Sequence, residues 1–230
     1  MTKFLALQHT YGGIEVALFS DNILVEKIFE DKKRASKYLI AVMDSLLKRH
    51  DCRLDDLSFI AANQGPGPFT TLRVVIATVN GIAFATKKPI IGVDGLEAIL
   101  QEYGDSHCLM TIALLDAFSK DVYFCIQHVN NLYVEKGYQN ISVFLSQIKE
   151  LVGNNKVQFI GNGSEKYKDL ILEAYKDQVV FPDPVPLSCT IERIGLMAFE
   201  KWKKTEGFTD QLLPLYLKTM EIKKKSPSTF

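Results

Sequence analysis

The order of apolar runs along this chain repeats, and that repeat constrains the fold more than any single motif. Residues 3–31 carry three strand-like runs, KFLALQ, GIEVALFS and ILVEKIFE. Gly12-Gly13 separates the first two, and Asp21-Asn22 separates the second and third, a spacing suited to tight hairpins. Three consecutive strands with short turns make an antiparallel meander. A helix follows in RASKYLIAVMDSLLKRH, where Ala35, Tyr38, Leu39, Val42, Met43, Leu46 and Leu47 recur at three-and-four spacing. LSFIAA then reads as a short buried strand, Thr70–Thr86 as a helix, PIIGV as a strand and DGLEAILQEY as a helix. The second half follows the same order. MTIALLDA, DVYFCIQHV and NLYVEKGYQ are three strands, ISVFLSQIKEL is a helix, and KVQFI is a strand that leads through GNGSEKY into a helix reaching about Ala174. After the proline-rich VVFPDPVP, a last amphipathic helix spans about Thr190 to Lys204. The pattern predicts an α/β fold with an approximate internal duplication. Its halves are residues 1–104 and 105–230, each a mixed sheet flanked by helices, with the last helix and tail packing back on the first half.

Thr70–Thr86 needs a separate argument. Val74, Val75, Ile76 and Val79 are β-branched and favour a strand. The run is nevertheless too long for a typical strand and does not alternate. A helix fits, with Leu72, Val75, Ile76, Val79, Ile82 and Ala83 on one side. Ala77, Gly81 and Ala85 are small enough to let another element approach closely.

The loop before that helix, NQGPGPFTTLRV, has the glycine richness of a phosphate cradle. It lacks the lysine of a G-x-x-x-x-G-K-[ST] loop, and Thr70 stands where the third glycine of G-x-G-x-x-G belongs. Pro66 and Pro68 have no N–H, so two donors of an anion nest are missing. Gly65, Pro66, Gly67, Phe69 and Thr70 therefore read as a stiff structural elbow, with Thr70 or Thr71 placed to cap the helix. Arg73 in the first turn gains nothing from the helix dipole, and an acidic group is its expected counterpart.

Composition excludes some classes. Lys and Arg number 27, as do Asp and Glu, so the net charge is zero and no dominant nucleic-acid footprint is expected. The basic run Lys223–Lys225 before SPSTF reads as a solvated tail. No window approaches the roughly 18 uncharged apolar residues of a spanning helix, and no membrane association is expected. The first residues read as a strand, not a signal peptide. Cys52, Cys108, Cys125 and Cys189 are widely spaced and read as buried reduced thiols, with a cytoplasmic location as the default.

Candidate chemistry is sparse. His9, His50, His107 and His128 form no H-x-x-x-H or H-E-x-x-H pair, so no metal is expected. Asp116, at a strand end with Ser119 and Asp121 nearby, is either an acid in the cleft between the halves or part of a solvated turn. Gly161 and Gly163 form a second glycine turn that keeps more N–H donors than the first. It is either a vestigial nucleotide site or an ordinary turn.

GPGPFTTLR resembles the GPGSFTGLR signature of the TsaB (YeaZ) family, accessory proteins in the synthesis of threonylcarbamoyladenosine on tRNA. FLALQHTYGGIEVAL, IIGVDGLEAI, LLDAFSKDVYF, FIGNGSEKY and LLPLYLK resemble further landmarks of that family, in order along the chain. The resemblance implies an actin/hexokinase-like (ribonuclease H-like) fold and a non-catalytic cytoplasmic subunit without cofactor. It also implies pairing with a TsaD-like catalytic paralogue, a TsaE-like ATPase as third component, self-association as a dimer, and tRNA met only through the complex. The pairing surface would use the first two helices, Arg34–Arg49 and Thr70–Thr86, with Tyr38, Leu39, Val42, Leu46, Arg73, Ile76 and Val79 as candidate contacts. The chain departs from the family pattern at Gln8-His9-Thr10, Pro68, Thr71, Phe118 and Ala35-Ser36-Lys37, all polar positions in the pattern. Gln8, His9, Thr10, Asp116, Gly161 and Gly163 are thus at most the vestige of a nucleotide site. An actin-fold ATPase or small-molecule kinase is the alternative, supported by fold analogy alone.

Overall fold

The computed structural model describes residues 1–129 and 134–218. Residues 131–133 of the expected NLYVEKGYQ strand, Lys223–Lys225 and the SPSTF end lie outside the described residues.

In the first half, β1 (Lys3–His9), β2 (Gly13–Ser20) and β3 (Ile23–Asp31) form the expected antiparallel meander. Asp21, at φ +52, turns the second hairpin. Helix α1 (Lys32–Arg49) follows, capped by the Asp31 side chain, which accepts from Lys33 N at 2.9 Å. Then come β4 (Phe59–Asn63), α2 (Phe69–Thr86), β5 (Ile90–Val93) and α3 (Gly95–Tyr103), the last capped by Asp94. The second half is β6 (Met110–Asp116), β7 (Asp121–His128), β8 (Val134–Asn140), α4 (Ile141–Val152) and β9 (Val157–Ile160). The helix expected after GNGSEKY is two helices, α5 (Asn162–Lys166) and α6 (Lys168–Tyr175). Strand β10 (Val179–Val180), helix α7 (Ile191–Lys204) and strand β11 (Phe208–Thr209) complete the described chain.

The duplication is visible in strand order. One sheet runs β3-β2-β1-β4-β5 and the other β8-β7-β6-β9-β10. In each, a meander is extended by two parallel strands. The two-residue β11, not foreseen from the sequence, adds antiparallel to β5 at the edge of the first sheet. The architecture is the actin/hexokinase-like α/β fold of two related halves.

Three packed layers follow from alternation along the strands. Leu5 and Leu7 face α1 and α2, whereas Phe4 and Ala6 face the middle of the molecule. That middle layer is α3 with α7. Helix α3 packs on β6, β7 and β9, whereas α7 packs on β1, β2, β4 and β5. Each half thus covers the other's sheet, which fixes the cleft between them. An aromatic ladder anchors α7: Phe19, Phe4, Phe59, Trp202 and Phe208 stack with successive centroids 4.9, 4.3, 4.9 and 5.0 Å apart. Burial of each fully enclosed ring contributes about 1.5–3 kcal/mol.

Helix α2 corrects two expectations. It starts at Phe69 with Pro68 as its cap residue, and neither Thr70 nor Thr71 caps it by a side-chain hydrogen bond. The Thr71 hydroxyl instead donates to the Pro68 carbonyl at 3.2 Å, because burial at 6% exposure turns it inward. Its 18 residues, with mean hydropathy 1.4, are also long and apolar enough to cross a membrane by length and composition, contrary to the reading that no window approached this. In the fold α2 is a core helix, with Leu72, Val75, Ile76, Val79, Ile82 and Ala83 buried toward the sheet and α1.

Candidate functional site

In open α/β sheets, ligands sit beyond the carboxyl ends of the parallel strands. Four turns meet there: Thr10–Gly12 after β1, Gly65–Pro68 after β4, Ala117–Lys120 after β6, and Gly161 after β9. In this chain their inner side is filled by the chain's own residues, whereas Gly67, Ala117 and Phe118 also border a groove on the outer side.

His9 ends β1 and is buried, 5% exposed. A Cβ added at Gly67 would lie 2.2 Å from its Cε1 and 2.7 Å from its Nδ1. Gly67 is therefore a glycine to admit an imidazole, not a phosphate. Burial holds the His9 pKa down at about 4, so the ring is neutral near pH 7. Gly65, at φ +108, donates its N–H to Asn63 Oδ1 at 2.9 Å and accepts at its carbonyl from Gly95 N at 2.9 Å. With Pro66 and Pro68 lacking N–H groups, the elbow presents no row of free donors. Of the residues expected in the elbow, Gly65, Pro66 and Gly67 lie in the turn, whereas Phe69 and Thr70 belong to the first turn of α2.

Gln8 is 1% exposed. Its amide donates to Glu15 Oε2 at 3.0 Å and to the Cys189 carbonyl at 2.8 Å. The place where an acid would organise a cation is thus a satisfied crosslink between β1 and the loop before α7. Thr10 works within its own turn, exchanging hydrogen bonds with Gly13. The space bounded by His9, Tyr11, Asn63, Leu115 and Cys189 is about 20 Å³, the room of about one water.

Asp116 resolves as a structural hub. Lys166 Nζ lies 2.9 Å from both carboxylate oxygens, and Phe118 N donates to Oδ1 at 3.1 Å. Its carbonyl accepts from the Tyr11 hydroxyl at 2.6 Å, joining the first hairpin turn of one half to that of the other. Burial, reinforced by the Asp116 charge, pushes the Tyr11 phenol pKa up, so Tyr11 remains a donor.

The second glycine turn is also consumed. A Cβ on Gly161 would lie 2.2 Å from the Leu114 carbonyl oxygen, and one on Gly163 would lie 2.9 Å from it. Gly161 N and Asn162 N donate to Pro186 O and Leu187 O at 2.8 and 2.9 Å. Two of the donors counted from sequence are thus used by the chain itself. Among the described residues, no group of three His, Cys, Asp or Glu side chains could hold a metal ion.

The other candidate surface is α1 with α2. Leu39, Leu46, Ile76 and Val79 belong to the chain's own core, and Val42 packs partly against it. The sequence pattern selected the inward stripe, because the same periodicity marks a core face and a docking face. Tyr38 and Arg73 are exposed, as are Ile40 (61%) and Phe84 (77%). On the outer side of α2, Ala77, Gly81 and Ala85 form an exposed row one turn apart. A Cβ at Gly81 would meet nothing within 4 Å, so no contact among the described residues requires that glycine.

Two duplicated sheets sharing a middle helical layer, with the strand-end cleft between them, define a protein of the actin/hexokinase type. The sequence profile described as "TsaD: tRNA N6-adenosine threonylcarbamoyltransferase" matches residues 22–185. The protein tRNA threonylcarbamoyladenosine biosynthesis protein TsaB of Escherichia coli (strain K12) is 23% identical, over 98% of each chain. Its namesake from Buchnera aphidicola subsp. Baizongia pistaciae is 22% identical, over 94% of this chain and 98% of its own. The solved structure of YeaZ from Pseudomonas aeruginosa superposes with TM-score 0.70 at 23% identity, covering 94% of this chain and all of that one. The chain belongs to the TsaD family, in its TsaB (YeaZ) branch.

Proposed function

We propose that this chain acts in the biosynthesis of tRNA threonylcarbamoyladenosine as a non-catalytic docking subunit. Its partner is a TsaD-like paralogue that carries out the transfer, with a TsaE-like ATPase as the third component. It works in the cytoplasm and meets tRNA only through the complex. The carrying observation is the filled cleft: His9 on Gly67, the Gln8 crosslink and the Tyr11–Asp116 bridge occupy the space where a member of this fold would hold substrate. With the inner cleft filled, what the chain offers is its outer surface.

The outer face of α1 and α2 supports the site of docking. A glycine inside an exposed helix costs about 0.5–1 kcal/mol relative to alanine. Gly81 bears that cost with no contact among the described residues to justify it. Close approach of a partner helix over Ala77, Gly81 and Ala85 gives the glycine a purpose, with Tyr38 and Phe84 flanking. In isolation, a second copy of the chain would compete for the same face. Size-exclusion chromatography of the chain with its TsaD-like paralogue tests this. Ala77→Glu places an unpaired charge in the face and is expected to abolish co-elution while leaving the circular dichroism spectrum intact. Undiminished co-elution would refute the face.

A further inference from the structure

A groove of about 620 Å³ opens at the seam between the halves, beside the first turn of α2. Phe69, Phe118, Tyr123 and Tyr216 line it, together with Arg73 and Lys218. Three of its rings are exposed: Phe69 (47%), Phe118 (56%) and Tyr216 (52%). Exposed rings gathered in a groove, not scattered singly, mark a binding surface.

The cations are held in an unusual way. The Arg73 guanidinium carbon lies 3.5 Å from the Phe69 ring centroid, and Arg73 Nε donates to the Tyr216 hydroxyl at 3.1 Å. Its partners among the described residues are thus aromatic, not the acid expected from the sequence. Lys218 Nζ lies 3.4 Å from Asp121 and 4.8 Å from the Tyr138 ring centroid. Arg73 is oriented by stacking, with no acid paired to it among the described residues. A pre-oriented guanidinium matches a carboxylate in bidentate fashion. The opposite wall is the turn Phe118-Ser119-Lys120, where three successive residues take φ of +63, +53 and +66. Such left-handed runs are costly for residues with a Cβ and concentrate where a side chain is presented for function. Here the turn presents the Phe118 ring to the groove.

We propose that this groove docks a peptide segment of a protein partner, one that carries an apolar or aromatic side chain next to a carboxylate. The ring-lined floor takes the apolar anchor, and Arg73, aided by Lys218, takes the acid. A nucleotide fits less well, because the groove borders the elbow where Pro66 and Pro68 remove the successive donors that phosphates need. The groove shares α2 with the docking face, Arg73 lying one turn before Ala77, but its rings are not part of the Ala77–Gly81–Ala85 row, and the inference survives if that face fails.

Selection of a phage-displayed random dodecapeptide library on the immobilised full chain tests it. The selected sequences are then synthesised and measured by fluorescence anisotropy. The expected result is a shared pairing of Asp or Glu with an aromatic or aliphatic residue. Affinity should fall at least tenfold in Arg73→Glu and in Phe118→Ala, while both variants keep the wild-type melting temperature within a few degrees and Ala77→Glu binds as wild type. Selection without an acidic–apolar pairing, or affinity unchanged in both groove variants, would overturn the proposal. Displacement of the peptide by ATP, with ATP binding lost in Arg73→Glu, would also overturn it and make the groove a nucleotide site.

Discussion

The His9 ring fills the space that a side chain at Gly67 would need, with Cε1 2.2 Å from the place of a Cβ. This contact turns the glycine-rich elbow from a phosphate cradle into a packing joint. Gly67→Ala is expected to cost about 1–3 kcal/mol in urea unfolding, the usual penalty of overpacking. His9→Ala in the same chain opens the space and should recover most of that loss. Equal penalties in both backgrounds would show that the ring is not the obstacle.

His9 also sets a pH dependence. Burial depresses its folded pKa to about 4 from an unfolded value of 6.5. Above pH 6.5 neither state binds the proton, and His9 contributes no slope. Between pH 6.5 and 4 the unfolded chain binds it and the folded chain does not, so stability falls as pH falls. The full loss is on the order of 3 kcal/mol by pH 4. Unfolding free energies measured from pH 7.5 to 4.5 should lose about one proton of slope in His9→Gln. An unchanged slope would mean that His9 is protonated in the folded state.

The Tyr11–Asp116 bridge ties the two halves at the cleft mouth. Tyr11→Phe keeps the ring and removes the hydroxyl, leaving a carbonyl unsatisfied at a 2.6 Å contact. A loss of about 1–2 kcal/mol is expected. Amide hydrogen exchange should quicken in both hairpin turns together, whereas quickening confined to the first would deny the bridge.

Gly81→Ala separates stability from docking. The alanine methyl meets nothing within 4 Å, so the isolated chain should gain about 0.5–1 kcal/mol and melt a few degrees higher. Its complex with the paralogue should weaken at the same time. A rise in both stability and affinity would argue against close helix approach there.

Local signals made the element order legible. Strand alternation, the three-and-four stripe of α1 and the hairpin turn residues each act within a few positions, so the duplication and the cleft position follow from sequence. Which side of a helix faces out does not follow, because Leu39 and Leu46 obey the same period whether they meet a sheet or a partner. The filled cleft was only half legible. Pro66 and Pro68 show directly that donors are missing. The ring behind Gly67, the Tyr11–Asp116 bridge across 105 positions and the Gln8–Cys189 crosslink across 181 leave no periodic trace. The pairing of Trp202 with Phe59 is likewise remote in sequence, and β11 is too short to carry a pattern.

The most direct test of the account is isothermal titration calorimetry with three chains: wild type, Gly81→Trp and Phe118→Ala. Each is titrated with the TsaD-like paralogue and, separately, with ATP and Mg²⁺. The expected result is saturable binding of the paralogue by wild type and Phe118→Ala, loss of that binding in folded Gly81→Trp, and no heat of ATP binding to any isolated chain. Paralogue binding by Gly81→Trp equal to wild type, or saturable ATP binding by the isolated wild-type chain, would contradict a closed-cleft docking subunit.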